Sequence, residues 1–145
     1  MRTINQYYRR ALGVSVFLLA ALVTGCGGSS SDSSSASDTT ALTVLATNPL
    51  ASATAITLNN SVTATFSTAM DTATLDTSSF SVKGAGEATL TGVVSLDTAS
   101  NTVTFKPTNT FTQSTVYTAT LTTAAKSTAG KSLASNYVWT FTSGV

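Results

Sequence analysis

From Leu42 onward, apolar residues alternate with Thr and Ser at a period of two, and this alternation restricts the fold more than any other feature of the chain. Successive side chains of an extended strand point to opposite faces, so the pattern is typical of strands with one buried face. Thr, which favours strands, fills most of the polar positions. Seven segments show the pattern, at residues 42–44, 61–66, 79–83, 90–96, 102–106, 117–122 and 137–142.

Turn-forming residues separate these segments, and no helical stripe of useful length lies between them. The stretch from Met70 to Ser78 has room for one helical turn, with Asp71 as its cap. Short strands with one apolar face predict an all-β fold, a seven-stranded Ig-like antiparallel β-sandwich. We expect this domain to occupy residues 41–145.

The beginning of the chain has the organisation of a bacterial export signal. Three arginines precede an apolar run from Leu12 to Val23, which at about 12 residues is too short to cross a bilayer as a helix. Arg9-Arg10 leaves a twin-arginine signal open as an alternative, although Tyr8 and the residues after the pair fit that signal poorly. The pattern predicts a signal peptide over residues 1–25.

The apolar run ends in Val23-Thr24-Gly25-Cys26, which resembles the bacterial lipobox. The resemblance implies that Val23, Thr24 and Gly25 are recognised by the lipoprotein signal peptidase. It also implies that the Cys26 thiol carries a diacylglycerol thioether, with the new amino terminus acylated by palmitate or a similar chain. Gly27 follows in place of the Asp that marks inner-membrane retention, which favours the outer membrane in a Gram-negative cell. An ordinary secretory signal with a chance cysteine is the alternative.

Residues 26–40 are expected to be the lipidated cysteine and a disordered, Ser-rich tether. Apart from Ala36, the stretch from Gly27 to Thr40 has no apolar residue, so the burial of side chains cannot offset the entropy lost on ordering. A flexible coil of this length has a mean reach of roughly 20 Å. The tether therefore predicts a spacer between the lipid surface and the domain.

Composition excludes several classes of chemistry. The chain has no His and one Cys, which removes His-based acid–base catalysis, Cys/His metal sites and an internal disulfide. From Cys26 onward, four Lys and six acids give a net charge of 4 − 6 = −2. We therefore expect no cofactor and no nucleic-acid partner.

Five side chains stand out as candidates for a local role. Asp71, Asp76 and Asp97 are the obvious carboxylates, but no D-x-D-x-D run accompanies them, which favours a cap and turns over a Ca²⁺ site or a glycosidase pair. Tyr117, near the start of the sixth predicted strand, fits a tyrosine corner or a plain core aromatic. Trp139 is interpreted as a core residue rather than a sugar-stacking platform.

Threonine repeats allow one further reading. Outward T-x-T runs on neighbouring strands can order water, as in ice-binding proteins, or meet a glycan. Thr is equally an ordinary soluble residue of a solvent-facing strand. Few charges guard the predicted strand edges, so pairing of exposed strands between molecules also stays open.

Several short segments of the predicted domain together form a recognisable series. In chain order they are Asn48-Pro49, Ser61–Ser67, Ala69–Asp71, Gly92–Val94, Asn101–Pro107, Thr115–Thr118 and Val138–Thr142. This series resembles the SbsA-like bacterial Ig-like domain. The resemblance covers roughly Leu42 to Gly144 and implies an Ig-like sandwich of the kind found on bacterial surface proteins as a spacer or adhesion module, without catalytic residues. The family often has an acid and a Pro where Thr68 and Ala69 stand, and Asp and Asn where Ser127 and Lys131 stand.

Together these features predict a bacterial lipoprotein of the cell envelope. Its Ig-like domain is expected to be a non-enzymatic surface binding, adhesion or structural module. The expected partners are the membrane, through the lipid on Cys26, and an envelope protein or glycan. The alternative is an accessory subunit or spacer that positions an envelope enzyme or transporter.

Overall fold

Strands and turns make up nearly all of the structure, a computed structural model that describes residues 41–145. Alternating Thr and apolar residues form these strands because one face can be buried while the other stays in water. One 3-10 helix, Thr72–Thr74, accompanies them. The strands are β1 Val44–Asn48, β2 Ala53–Ile56, β3 Val62–Phe66, β4 Phe80–Gly84, β5 Gly92–Asp97, β6 Thr102–Pro107, β7 Val116–Leu121 and β8 Tyr137–Ser143.

The strands form two four-stranded sheets that pack face to face. The first sheet has the order β1-β3-β6-β5, and the second has the order β2-β8-β7-β4. Neighbouring strands are antiparallel, except that β2 runs parallel to β8. The all-β, Ig-like sandwich predicted from the alternation is confirmed.

Residues 41–145 form eight strands rather than the expected seven, and the sheets are not purely antiparallel. The additional strand β2 has four residues, of which Ile56 alone is a large apolar one, so it shows no alternation. Its pairing with β8 is interrupted between Ala53 and Ile56, and Ala55 has a φ of 56°. Period-two reasoning misses such a strand because irregular backbone breaks the correspondence between sequence parity and face.

The core lies between the two sheets and is built from the inward residues of every long strand. Buried apolar residues of β3, β6, β7 and β8 meet there, among them Phe66, Phe105 and Phe141. Aromatic rings pack in pairs, with centroids 5.8 Å apart for Phe80 and Phe105. Burying each such side chain contributes roughly 1.5–3 kcal/mol before the entropy of ordering is subtracted.

The domain has two poles, defined by the direction of β8. The N-terminal pole is where β8 begins: Leu42 forms a parallel bridge with Leu133 there. The C-terminal pole is where β8 ends, and there the Gly144 carbonyl accepts from the Ser114 N–H. The seven residues of β8 between these poles rise about 23 Å at 3.3 Å per residue. The chain thus enters the sandwich at one end and reaches Val145 at the other.

Candidate functional site

The residues predicted to carry lipid lie outside the described part of the chain. This applies to Cys26 and to the peptidase recognition residues Val23, Thr24 and Gly25, as well as to the tether at residues 26–40. Their roles stay predictions. Within residues 41–145, no helix is long and apolar enough to cross a membrane.

Two of the candidate carboxylates hold local backbone at the N-terminal pole. Asp71 caps the 3-10 helix, since its Oδ1 accepts from the Ala73 N–H at 3.0 Å. Asp76 accepts from the Ser78 hydroxyl and from the N–H groups of Ser78 and Ser79. The Ser78 hydroxyl, followed by these N–H groups, lowers the pKa of Asp76 below its ordinary value. The predicted cap at Asp71 is confirmed, and Asp76 is a turn residue.

Asp97 closes the hairpin between β5 and β6. Its carboxylate accepts from the Ala99 N–H at 3.0 Å and from the Ser100 hydroxyl at 2.7 Å. The Ser100 hydroxyl is the main cause of the lowered pKa of Asp97. Asn101 completes the turn with a φ of 52°, a conformation that Asn tolerates better than most residues. Among residues 41–145, no three Asp, Glu, His or Cys side chains come together in a way that could hold a metal ion.

Tyr117 forms a tyrosine corner at the C-terminal pole. Its ring is fully buried between Phe111 and Phe141, with centroids 4.6 and 5.7 Å away. Its hydroxyl accepts from the Thr112 N–H at 2.7 Å, five residues upstream. This contact fixes the connection between β6 and β7 against the core.

Trp139 is a core residue, as interpreted from the sequence, and it is 4% exposed. Its indole N–H donates to the Pro49 carbonyl at 3.1 Å. This hydrogen bond attaches the segment that connects β1 of the first sheet with β2 of the second sheet to β8. With its polar edge satisfied internally and its ring beside Phe80 and Tyr137, the indole has no open face for sugar stacking.

The outward threonines form small arrays, one on each sheet. On the first sheet Thr63 lies opposite Thr104 and Thr65 opposite Thr102, whose hydroxyls bond each other at 2.9 Å. On the second sheet the threonines of β7 and β8 are interrupted by the exposed Val138. Each array is therefore short, and on the first sheet part of its hydrogen-bonding capacity is used within the protein. Water or glycan binding by these faces stays a prediction.

An apolar recess of about 260 Å³ lies at the N-terminal pole. Residues 42–44 and 133–137 line it, with the buried Leu42 and Leu133 among them. Its volume is below that of most small-molecule sites, which have roughly 300–1,000 Å³. Asn136 on its rim is engaged internally, because its side-chain carbonyl accepts from the Thr123 N–H. The recess has room for an aliphatic group and offers no catalytic arrangement.

Two serines have structural roles that sequence reasoning missed. The Ser143 hydroxyl donates to the Thr112 carbonyl at 2.6 Å and accepts from the Thr115 N–H at 2.9 Å. The fully buried Ser79 accepts from the Asp76 N–H at 2.9 Å. Ser143 continues the inward parity of Trp139 and Phe141, but at the end of a strand this signal does not distinguish a clamp from an ordinary turn. Ser79 stands at the opposite parity to the buried Phe80, so the alternation gives no signal for it.

The sequence profile of the Bacterial Ig-like domain family matches residues 38–143, almost all of the described domain. The chain belongs to this family. Bacterial Ig-like domains are typically non-catalytic modules, in keeping with an arrangement whose polar groups cap turns and loops. No curated protein matches the chain significantly.

Solved structures show the same fold. The surface layer protein SbsC, domains 1–6, is 25% identical with a TM-score of 0.56, and the match covers 73% of this chain and 14% of that one. PcoC, a copper resistance protein from Escherichia coli, is 14% identical with a TM-score of 0.56, covering 70% of this chain and 98% of that one. The LD transpeptidase LdtMt1 is 18% identical with a TM-score of 0.50, covering 70% and 39%.

The chain thus spans a small part of the surface-layer protein that it matches. The family and this neighbour indicate a bacterial cell-surface or envelope protein. The other two similarities concern the fold alone.

Proposed function

We propose that this protein is a lipid-anchored module of the bacterial cell envelope whose Ig-like domain is non-enzymatic and serves as a rigid structural or adhesion unit. The observation that carries the proposal is the polarity of the sandwich. The chain enters at the N-terminal pole, and Val145 lies beyond β8 at the other, about 23 Å away along that strand. The C-terminal pole is therefore the end of the domain opposite to the one at which the chain enters it.

The anchor in this proposal is the Cys26 thioether, formed after recognition of Val23, Thr24 and Gly25. Two or three acyl chains retain a protein at a bilayer far more firmly than one, at about 0.8 kcal/mol per buried CH₂. Gly27 favours the outer membrane in a Gram-negative cell. The net charge of −2 from Cys26 onward supports a protein or glycan partner rather than a nucleic acid.

Replacing the lipobox cysteine tests the anchor. We expect the unaltered chain in the membrane fraction, labelled by an alkyne analogue of palmitate. The Cys26→Ser variant should be released and unlabelled. A matched control carries Cys26→Ser with Ser30→Cys, so that a thiol is present but stands outside the lipobox; it should behave like Cys26→Ser. Retention of Cys26→Ser in the membrane would refute lipid anchoring.

Cross-linking in cells, followed by mass spectrometry of the membrane fraction, tests the module's role. One recurring protein or glycan would support adhesion or binding, and a partner that co-purifies at fixed stoichiometry would favour an accessory subunit. A protein carrying only its acyl groups would favour a pure spacer. Turnover of an envelope substrate by the purified chain would refute the non-enzymatic assignment.

A further inference from the structure

The edge strand β5 differs from the other three sheet edges that the structure describes, because nothing in it hinders pairing with another strand. Edge strands are normally protected by bulges, Pro, Lys or a covering segment. The β1 edge is irregular, since its register shifts between Val44 and Ala46. The β2 edge is four residues long and is also irregular.

The β4 edge is covered by the segment that follows it. The Leu90 N–H donates to the Val82 carbonyl at 2.8 Å, and Lys83 forms a bridge with Thr89. In contrast, β5 pairs with β6 in unbroken register over six residues, and it contains neither Pro nor Lys. Its one charge, Asp97, stands at its end beside the hairpin turn.

The register shows which backbone groups of β5 face outward. The Thr108 N–H donates to the Thr91 carbonyl, so Thr91 faces β6. Successive residues of an antiparallel strand face alternate neighbours, so Val93, Ser95 and Asp97 also face β6. The N–H and C=O groups of Gly92, Val94 and Leu96 therefore point away from the sheet, at its open edge.

We propose that this edge pairs with the β5 edge of a second copy of this chain, in antiparallel register about a two-fold axis at Val94. Only antiparallel registers that set outward-facing residues opposite each other form hydrogen bonds. Placing Val94 opposite Val94 sets Gly92 opposite Leu96 on both sides. All three outward residues of each strand are then used, whereas a shift by two residues leaves one unpaired. The two first sheets become one continuous sheet.

The side chains of β5 are complementary to themselves in this register. On the inner face, Leu96 of the second copy lies opposite Gly92. A Cβ at Gly92 would be 2.6 Å from Cζ of Phe105, so the Phe105 ring fills the space beside this glycine. Leu96 and Val94 are half-buried apolar residues that pack at the margin of the core. Pairing therefore extends the core across the interface instead of exposing a polar group to it.

On the outer face, the exposed Val93 lies opposite Ser95 of the second copy, and Asp97 lies opposite Thr91. Val93 is 67% exposed in the single chain, and pairing covers part of it. The two Asp97 carboxylates stand at opposite ends of the interface, so no like charges meet. A strand from a different protein would need small, apolar and charged residues at matching positions, whereas a second copy of β5 has them at matching positions because of the two-fold symmetry.

Two cysteines placed in separate chains test the pairing and its register. Val93→Cys and Ser95→Cys chains, otherwise full length, are produced together and oxidised mildly in the membrane. In the proposed register, residue 93 of one chain lies directly opposite residue 95 of the other. Two cysteines at the same position, 93 and 93 or 95 and 95, are instead offset by two residues along the strands. We expect at least about tenfold more disulfide-linked dimer from the mixture than from either chain alone. Ser81→Cys, on the β4 edge, is the matched control and should remain monomeric.

The proposal is wrong if the mixture gives no more dimer than the Ser81→Cys control, or if the cross-link joins β5 to a different protein. Equal cross-linking of Val93→Cys alone would refute the register. A second measurement uses the purified full chain in detergent and is independent of lipid anchoring. Ser95→Lys places two lysines at diagonal positions whose backbones are about 7–8 Å apart, and repulsion between like charges should weaken dimerisation at least about tenfold. Thr140→Lys, at an exposed position on the second sheet, should leave dimerisation unchanged. If the unaltered chain, Ser95→Lys and Thr140→Lys all sediment as monomers, pairing is refuted.

Discussion

Removing the Tyr117 hydroxyl should destabilise the domain although it removes a single oxygen atom. In Tyr117→Phe the ring stays packed against Phe111 and Phe141, so the change isolates the 2.7 Å bond from the Thr112 N–H. A hydrogen bond contributes about 0.5–1.5 kcal/mol net, and a buried donor left without a partner costs about 1–3 kcal/mol. Thr112 is exposed, so water partly replaces the hydroxyl. We expect a loss of about 1–2 kcal/mol.

Urea unfolding followed by the fluorescence of Trp139, the only tryptophan, measures this loss. For a domain of about 100 residues, a loss of about 1–2 kcal/mol corresponds to a fall in Tm of roughly 4–10 °C. Tyr137→Phe is the matched control, because the Tyr137 side chain is 39% exposed and no hydrogen bond to its hydroxyl occurs in the described part of the chain. The control should change the free energy of unfolding by less than about 0.5 kcal/mol.

The structure also predicts how this change combines with a second one. The Ser143 hydroxyl donates to the Thr112 carbonyl, and the Tyr117 hydroxyl accepts from the Thr112 N–H, so the two side chains hold both backbone polar groups of Thr112. Once either contact is lost, the loop is less well held for the other, and the losses from Tyr117→Phe and Ser143→Ala should be less than additive. Full additivity, or equal losses in Tyr117→Phe and Tyr137→Phe, would refute the tyrosine-corner reasoning.

Three further predictions concern the backbone and the turns. Gly92→Ala should cost about 1–3 kcal/mol by urea unfolding, because its Cβ would lie 2.6 Å from a backbone oxygen of β6, whereas Gly144→Ala, with its nearest contact at 3.4 Å, should cost less. Asn101→Ala should cost about 1–2 kcal/mol in the same assay, because Ala tolerates a φ of 52° poorly, and Asn101→Gly should be tolerated. Hydrogen bonds lower the pKa of Asp76 and Asp97 in the folded state. Their contribution to the free energy of unfolding is therefore present above the unfolded pKa near 4 and is lost as the pH falls through the folded pKa. Asp76→Asn and Asp97→Asn should reduce the loss of stability between neutral and acidic pH, measured by urea unfolding.

Sequence reasoning located most strands because their faces differ strongly in polarity. The same reasoning identified the roles of Asp71 and Trp139 and gave the tyrosine corner as one of two roles for Tyr117, since each depends on position relative to a strand or a helical turn. It missed β2, where a single large apolar residue, Ile56, and the positive φ of Ala55 leave no parity signal. Local spacing carries information about a residue's own strand, but it carries almost none about which strand stands beside it.

The edge of β5 shows this limit clearly. Low charge along the chain already indicated weakly guarded strand edges, but not which strands would be edges. That β4 is covered and β5 is open depends on the bond from Leu90 to Val82, a contact between segments with no pairing signal in the sequence. The outward direction of Val94 likewise follows from its register with β6 and from no property of valine. A binding surface of main-chain groups is therefore invisible until the topology is known.

Pairing through β5 makes a demand on the length of the anchor that can be measured. Antiparallel β5 strands put the N-terminal poles of the two copies at opposite ends of the joined sheet. When the strands stand upright on the membrane, one pole is therefore about 23 Å or more farther from it than the other. Fully extended, the 15 residues from 26 to 40 span at most about 50 Å, enough for both copies to be anchored in one membrane. Deleting residues 28–37 leaves five residues and a reach of about 17 Å, which is shorter than the strand.

The deletion should therefore lower the cross-link between Val93→Cys and Ser95→Cys chains in the membrane, while dimerisation of the purified chain in detergent stays the same. Replacing residues 28–37 by Gly and Ser at equal length should restore the membrane cross-link, because reach and not sequence is the requirement. An unchanged cross-link after the deletion would refute the upright arrangement and would mean that the joined sheet lies parallel to the membrane, with both N-terminal poles close to it.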